Sequence, residues 1–301
     1  MTHSLLHNRF RELSVPMDPV ETNTKPILNV LTGIKVLAYD FYGTLFISGV
    51  GDIGIDDGSP DAGIFLDVLK QSGIRINNKN AGKLGFTIYN NVVSDLISDL
   101  KKDGIEFPEP DIRNVWKDVL LTMQIDGLIE FEQDQDLFEL ISVEFEARMN
   151  PVWPMPDAIK ILHHFKSKGM PQGIISNSQF YTPIVLEALT NQSLTELGFN
   201  EKLLNWSYHQ KLKKPGTRFY QDFIEKLHSF DSAIKPENVL YIGNDMLKDV
   251  YPAAKLGMKT ALFAGDQRSL KWREDDPRCK NLIPDLVITQ LSQLLDCLDQ
   301  I

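Results

Sequence analysis

Cysteine is nearly absent from this sequence: its 301 residues include two, Cys279 and Cys297, with neither pairing nor metal-ligand spacing. Such usage excludes a disulfide scaffold and suits a reducing compartment, so a cytoplasmic location is expected. Long apolar runs are also missing, and no stretch approaches the roughly 20 residues that span a bilayer. Residues 1–26 have no continuous apolar segment and carry acids early, so they read as a loosely ordered extension and not as a secretory signal. Positive charge is in deficit. Lys plus Arg number 31 against 41 Asp plus Glu, a formal charge of −10, which disfavours nucleic acid and membrane surfaces and points to a small-molecule partner. The six histidines show no ligand spacing, and there is no internal repeat or low-complexity block. Nothing in the sequence sets the oligomeric state.

What is present is a chain long enough for two domains and ordinary in composition, at 43% hydrophobic and 24% charged. Four segments read as short buried strands: IKVLAYD ending at Asp40, GIISNS, VLYIGND, and the TALFAG run from Thr260. Amphipathic stretches lie between them, at Asp157–Lys168, Thr217–Leu227 and Asp249–Leu256. Strands alternating with helices predict an α/β fold, a Rossmann-like, doubly wound parallel sheet with right-handed crossovers. Such sheets bind ligands at the carboxyl ends of their strands, where Asp40, Ser176 and the Asn244-Asp245 pair all fall.

The stretch from about residue 59 to 148 differs. Ser59-Pro60 resembles a helix start and Gly73 a stop, and Lys83–Lys102, Asp111–Gln124 and Gln133–Arg148 are helical in period. The expected organisation is an extension (1–33), an α/β core (34–50 and 151–301) and an inserted, mostly helical cap domain (51–150). Two linkers flank the insert, GVGDIGIDDG at 49–58, read as a flexible hinge, and NPVWPMP at 150–156. Trp116, Phe131, Phe138 and Phe145 fall at helical spacing and are assigned to the core of the cap.

The residues at the strand ends suggest a chemistry. Asp40 offers a carboxylate nucleophile of the kind that forms an aspartyl-phosphate. Hydroxyls from Thr44 and Ser176, with backbone N–H groups in the turn at Gly43, suit the non-bridging oxygens of a phosphoryl group. Lys214 supplies a positive charge, and Asp245 and Asp249 supply hard oxygen ligands of the type Mg²⁺ demands. Arg268, Lys271 and Arg273, in the charged segment 267–280, could reach an anionic substrate from the rim, but a solvated loop is the stronger reading.

Taken in order, Asp40-x-x-Gly43-Thr44, strand-Ser176, Lys214-Pro215 and Gly243-Asn244-Asp245-x-x-x-Asp249 resemble the motifs of the haloacid dehalogenase (HAD) superfamily, over residues 34 to about 296. The helical insert resembles that superfamily's first type of cap. The resemblance implies Asp40 as nucleophile, Ser176 on the phosphate, Lys214 steadying both, and Mg²⁺ held by Asp40, the Tyr42 carbonyl and the last acidic motif. Asn244 stands where many relatives carry Asp, so either Asn244 or Asp245 is the candidate ligand there.

Tyr42 is the main departure. Phosphatases of this superfamily usually carry a second Asp at that place as general acid and base, whereas a phenol with a pKa near 10 is a reluctant base. Asp-x-Tyr-Gly-Thr resembles the 2-haloacid dehalogenases, as does Ser176-Asn177, and a halide leaving group needs no proton. Those enzymes work without metal and place an arginine soon after the nucleophile, and no arginine occurs here between Asp40 and Ile74. A phosphonatase would need a cap lysine in a sequence context that is not recognisable. The expected function is therefore a Mg²⁺-dependent hydrolase of a small, anionic phosphorylated metabolite. The alternatives are a carbon–halogen hydrolase and a HAD-like domain that binds or regulates.

Overall fold

The computed structural model describes residues 2–50 and 62–298. The segment VLAY shows why the chain needs two covering layers. Val36 and Ala38 fall in one apolar cluster with Phe219, Phe223 and Leu227, while Leu37 and Tyr39 fall in a second, as the two-residue period of a strand requires. All four are buried, so this strand has no solvent face.

The strands in chain order are β1 (Val36–Tyr39), β2 (Phe46–Ser48), β3 (Arg75–Ile76), β4 (Ile129–Glu130), β5 (Val152–Pro154), β6 (Gln172–Ser176), β7 (Phe199–Trp206), β8 (Val239–Gly243), β9 (Lys259–Phe263) and β10 (Leu286–Ile288). Six of them form a parallel sheet in the order β10-β9-β8-β1-β6-β7. The four strands expected from sequence are β1, β6, β8 and β9. Chain progression reverses at β1, with β6 on one side and β8 on the other, which makes the carboxyl end of β1 a topological switch point.

The helices are α1 (Thr2–Leu13), α2 (Ala62–Gln71), α3 (Ala81–Lys102), α4 (Ile112–Ile125), α5 (Gln135–Met149), α6 (Ala158–Ser167), α7 (Thr182–Thr190), α8 (Ser207–Gln210), α9 (Thr217–Phe230) and α10 (Tyr251–Lys255). Helices α2–α5 form the insert with the small β3–β4 ladder. Asp111 and Asp134 cap α4 and α5 by accepting from the N–H groups two residues on. Trp116 is fully buried, with the rings of Phe65, Tyr89 and Phe145 5.2 to 5.4 Å away. Gly85 permits this packing, since a Cβ there would lie 2.5 Å from the Phe65 ring. Ser59-Pro60 and residues 51–58 of the first linker lie outside the described residues. The second linker is partly a strand: β5 pairs antiparallel with β2, and buried Asn150 accepts from Ser48 Oγ at 2.8 Å. No helix of the described residues is long and apolar enough to cross a membrane.

The N-terminal segment corrects an expectation. It is not loosely ordered, because Leu6, Phe10 and Leu13 make one apolar helical face whose period the polar residues between them obscure. Leu6 and Phe10 are buried, and Phe10 meets the Tyr181 ring at 6.2 Å. Arg9 donates to Glu144 on α5, while His7 pairs with Glu187 at 3.0 Å and Arg11 donates to the Ala188 carbonyl at 2.9 Å, both on α7. Helix α1 thus ties the insert to the sheet domain. Phe10→Ala is expected to lower the unfolding free energy by about 3–5 kcal/mol in urea denaturation. A frayed extension would give a change within about 0.5 kcal/mol.

Candidate active site

Asp40 follows directly on β1, and its N–H still donates to the Ile242 carbonyl at 2.8 Å, so the sheet ladder fixes its backbone. Its Oδ1 accepts from the Phe41 N–H at 2.8 Å and pairs with Lys214 Nζ at 2.8 Å. Oδ2 takes no hydrogen bond from the described residues. The turn that follows is closed by the Leu45 and Phe46 N–H groups, each 2.9 Å from the Phe41 carbonyl. Gly43 sits in it at φ +79°, where a Cβ would lie 2.6 Å from Ser269 Cβ and 2.9 Å from Asn244.

Lys214 is buried at the centre of the site. Its ammonium lies 2.8 Å from Asp40 Oδ1 and 2.6 Å from Asp249 Oδ1, and it donates to Tyr241 Oη at 3.2 Å. Three N–H donors therefore meet three acceptors. Burial opposes the charge on Lys214, but Asp249 and Asp40 overcome it and hold its pKa above the ordinary lysine value. Burial pushes the Asp249 carboxyl above the usual carboxylate range, against the pull of Lys214. Two carboxylates around one ammonium leave an excess negative charge.

The other expected residues separate into groups. Asn177 lines the cavity above Asp40 together with Tyr42, Asn244, Asp245 and Asp249, and its Oδ1 accepts from the Lys214 N–H at 2.8 Å. Ser176 is buried beneath, its hydroxyl 3.5 Å from the Asn177 carbonyl. Thr44 Oγ1 donates to Asn244 Oδ1 at 3.1 Å. The hydroxyl of Tyr42 shares a hydrogen bond with Thr182 at 3.1 Å, and burial, reinforced by Glu146, pushes its pKa well above that of a free phenol. Asp245 caps the π-helical turn Met246–Val250 by accepting from Leu247 and Lys248, and Arg273 grips its carboxylate. Asp249 Oδ2 accepts from the Asp245 N–H at 2.9 Å.

Among the described residues no three carboxylate, imidazole or thiol groups gather as a metal cluster. The donors left uncommitted are Asp40 Oδ2 and main-chain oxygen at Tyr42, with the Asn244 amide oxygen beside them already accepting from Thr44. Mg²⁺ fits such a set, since it keeps several waters and takes one or two protein carboxylates, and the excess negative charge around Lys214 favours a cation. The structure also brings in residues that sequence reading assigned to a solvated loop. Ser269 and Lys271 line the same cavity of about 40 Å³, and Arg273 holds Asp245. The correction has a physical reason: the loop runs beside the site as a bridge, with Lys271 N–H donating to the Asn244 carbonyl at 3.0 Å and Met246 N–H to that of Lys271 at 2.9 Å. A run of polar and charged residues carries no periodic signal for such a contact.

Removing the central cation should be costly. Lys214→Met is expected to lose about 3–5 kcal/mol, because two buried carboxylates are left facing each other. Their folded pKa values then lie above the unfolded ones, so the folded state binds more protons and stability falls as pH rises through that window. The loss should therefore be smallest below roughly pH 4, where the unfolded carboxyls are also protonated, and grow toward neutral pH. Urea titrations of wild type and variant between acid and neutral pH check this, and a pH-independent loss would contradict it.

Comparison with known proteins gives a family match and several relatives. A family model described as haloacid dehalogenase-like hydrolase matches residues 116–263. A glyceraldehyde 3-phosphate phosphatase of Pyrococcus furiosus is 31% identical over 147 residues, covering 48% of this chain and 55% of that protein. One of the same name from Methanopyrus kandleri is 26% identical over 147 residues, with the same coverage. The chain thus spans about half the length of the curated relatives it matches. Among solved structures, a 2-haloacid dehalogenase from Pseudomonas syringae pv. Tomato DC3000 aligns with a TM-score of 0.53 at 19% identity, over 88% of this chain and 97% of that one, a likeness of fold. The family match spans just under half of the chain, and the sheet order with its inserted helices is similar to the fold of the dehalogenase structure.

Proposed function

We propose that this protein is a magnesium-dependent hydrolase of small phosphate monoesters with Asp40 as its nucleophile. One observation carries the reading. Asp40 Oδ1 is tied to Phe41 N–H and Lys214, while Oδ2 takes no hydrogen bond from the described residues and the residue lines the cavity. The phosphatase names of the two archaeal relatives favour a phosphate ester and a small, anionic, phosphorylated substrate.

Asp40 Oδ2 attacks phosphorus, the ester P–O bond breaks, and the alkoxide leaves with its electron pair. Water then attacks the same phosphorus and gives a proton to solvent, the acyl-phosphate P–O bond breaks, phosphate and the Asp40 carboxylate are released, and the departed alkoxide takes its proton from solvent. Asn177 and the Tyr42 N–H of the turn after Asp40 hold non-bridging oxygens, with Ser176 shaping the floor beneath Asn177 and Thr44 holding Asn244. Mg²⁺, when bound by Asp40, the Tyr42 carbonyl and Asn244, supplies charge that lets a carboxylate and a dianionic ester approach. Asp249 keeps Lys214 in place and Asp245 fixes the turn that presents Asn244. Helices α2–α5 act as the cap over the site.

Tyr42 favours substrates with good leaving groups, because its hydroxyl is committed to Thr182 and stays protonated. The same observation favours a carbon–halogen hydrolase as the second reading, since a halide departs without a proton. A panel of aryl, acyl and alkyl phosphates and 2-haloacids, with and without Mg²⁺, separates the two. Mg²⁺-dependent phosphate release is expected, falling about a thousandfold or more in Asp40→Asn. Metal-independent halide release, or turnover unchanged in that variant, would overturn the proposal. Tyr42→Asp is expected to raise alkyl phosphate hydrolysis by about tenfold or more, as a restored general acid should.

A further inference from the structure

The loop after β9 is held rigidly on both sides. Buried Asp266 accepts from the Arg268 side chain at 2.9 and 3.0 Å and from the Val20 N–H at 3.3 Å, and Gln267 N–H donates to the Val20 carbonyl at 2.8 Å. On the inner side, Asn244 Nδ2 donates to the Ser269 carbonyl at 2.7 Å. Two groups on this loop are nonetheless left unsatisfied beside the cavity. Ser269 is fully buried and its hydroxyl has no hydrogen-bond partner among the described residues. Lys271 makes one side-chain hydrogen bond, to the Arg268 carbonyl at 3.2 Å, and has no carboxylate partner among the described residues. Arg268 and Arg273 each pair with a carboxylate, and Lys214 with two.

A buried hydroxyl without a partner is costly to keep, and the half-buried Lys271 lines the cavity beside it. An anion with oxygen acceptors would give that hydroxyl a partner and the ammonium a counter-charge. Lys214 cannot be that anion's main cationic partner, because its three N–H groups already meet Asp40, Asp249 and Tyr241. The cavity, about 40 Å³ where a single water needs roughly 10–15 Å³, has room for a few water-sized groups.

We propose that Ser269 and Lys271 bind the non-bridging oxygens of the phosphoryl group itself, so that the loop after β9, and not only the strand ends, forms the oxyanion pocket. The proposal rests on the phosphoryl reading above and adds its binding residues. Lys271 supplies the chain's own counter-charge to the anion, and Ser269 supplies a neutral hydrogen bond beside it.

Calorimetric titration with inorganic phosphate, in EDTA and in Mg²⁺, tests this on the full chain with Lys271→Met, Lys271→Arg and Ser269→Ala. Lys271→Met is expected to weaken phosphate binding about tenfold or more, and Lys271→Arg to recover most of it, since the arginine keeps the charge. Ser269→Ala is expected to weaken binding about threefold to tenfold. Binding to wild type should fall with added salt, less steeply so in Lys271→Met. Thermal melts of the arginine variant control for folding. Wild type that binds phosphate while Lys271→Met binds it equally well overturns this inference alone. Wild type that binds no phosphate in either condition overturns the phosphoryl reading and this inference with it.

Discussion

The buried ammonium of Lys214 is the constraint on which the carboxyl edge of the sheet depends. A charge removed from water must find partners for all its protons, and this one finds Asp40, Asp249 and Tyr241. Those three arrive from the end of β1, the turn before α10 and the body of β8, while Lys214 itself precedes α9. Tyr241 also reaches the Ile175 carbonyl on β6 at 2.8 Å. One cation therefore gathers three regions far apart in sequence, at Asp40, at Lys214 and at Tyr241 to Asp249. Hydrophobic burial builds the sheet, but it is non-directional and could not fix the position of the Asp40 oxygens to within a hydrogen bond. The ionic cluster does, and its excess negative charge makes the adjoining cavity receptive to a cation or to a neutralised substrate.

The position of Lys214 is in turn linked to the helical insert. Its loop is paired with the segment before α4: Lys213 N–H donates to the Phe107 carbonyl at 2.9 Å, and Glu109 N–H to that of Lys211 at 3.1 Å. Elsewhere the boundary between insert and sheet domain is apolar and continuous, one cluster running from Phe41 and Tyr42 to Trp116 and Val119. The β2–β5 ladder and helix α1 add two further ties. Displacing the insert would strain the loop that bears the ammonium, so its placement and the geometry at Asp40 are not independent.

Much of this was legible in the sequence because parallel strands buried on both faces appear as short apolar runs ending in polar residues. That signature marked β1, β6, β8 and β9 and placed Asp40, Ser176, Asn177 and Asn244 at one edge. It failed for β7, whose Glu201 and Lys202 are exposed at the sheet's edge, and for β10, three residues long. Helix α1 was missed because its apolar face has few residues and finds its partners more than 130 positions away, at Glu144 and Glu187. The role of Asp245 was equally hidden. Its type suggested a metal ligand, but its partner Arg273 lies in a loop with no period to read, and only the fold brings the two within 2.6 Å.

Tyr42 shows what the fold adds to a motif. From sequence it is a missing acid. In the structure it is a buried phenol bonded to Thr182 at the head of α7, near Glu146, which accepts from Tyr181 at 2.8 Å. Burial and that carboxylate both hold its proton on, so it is neither a base nor a ready donor at neutral pH. Its contribution is apolar area, with Phe41 4.8 Å away by ring centroids, at the seam between sheet and insert. A carboxylate in its place would sit in the same apolar seam and would need a proton or a cation of its own. On the proposed reading, the site has a sealed boundary at the position where a second carboxyl group could have transferred a proton. Charge neutralisation then has to carry the reaction, and the acidity of the leaving group decides which esters can react.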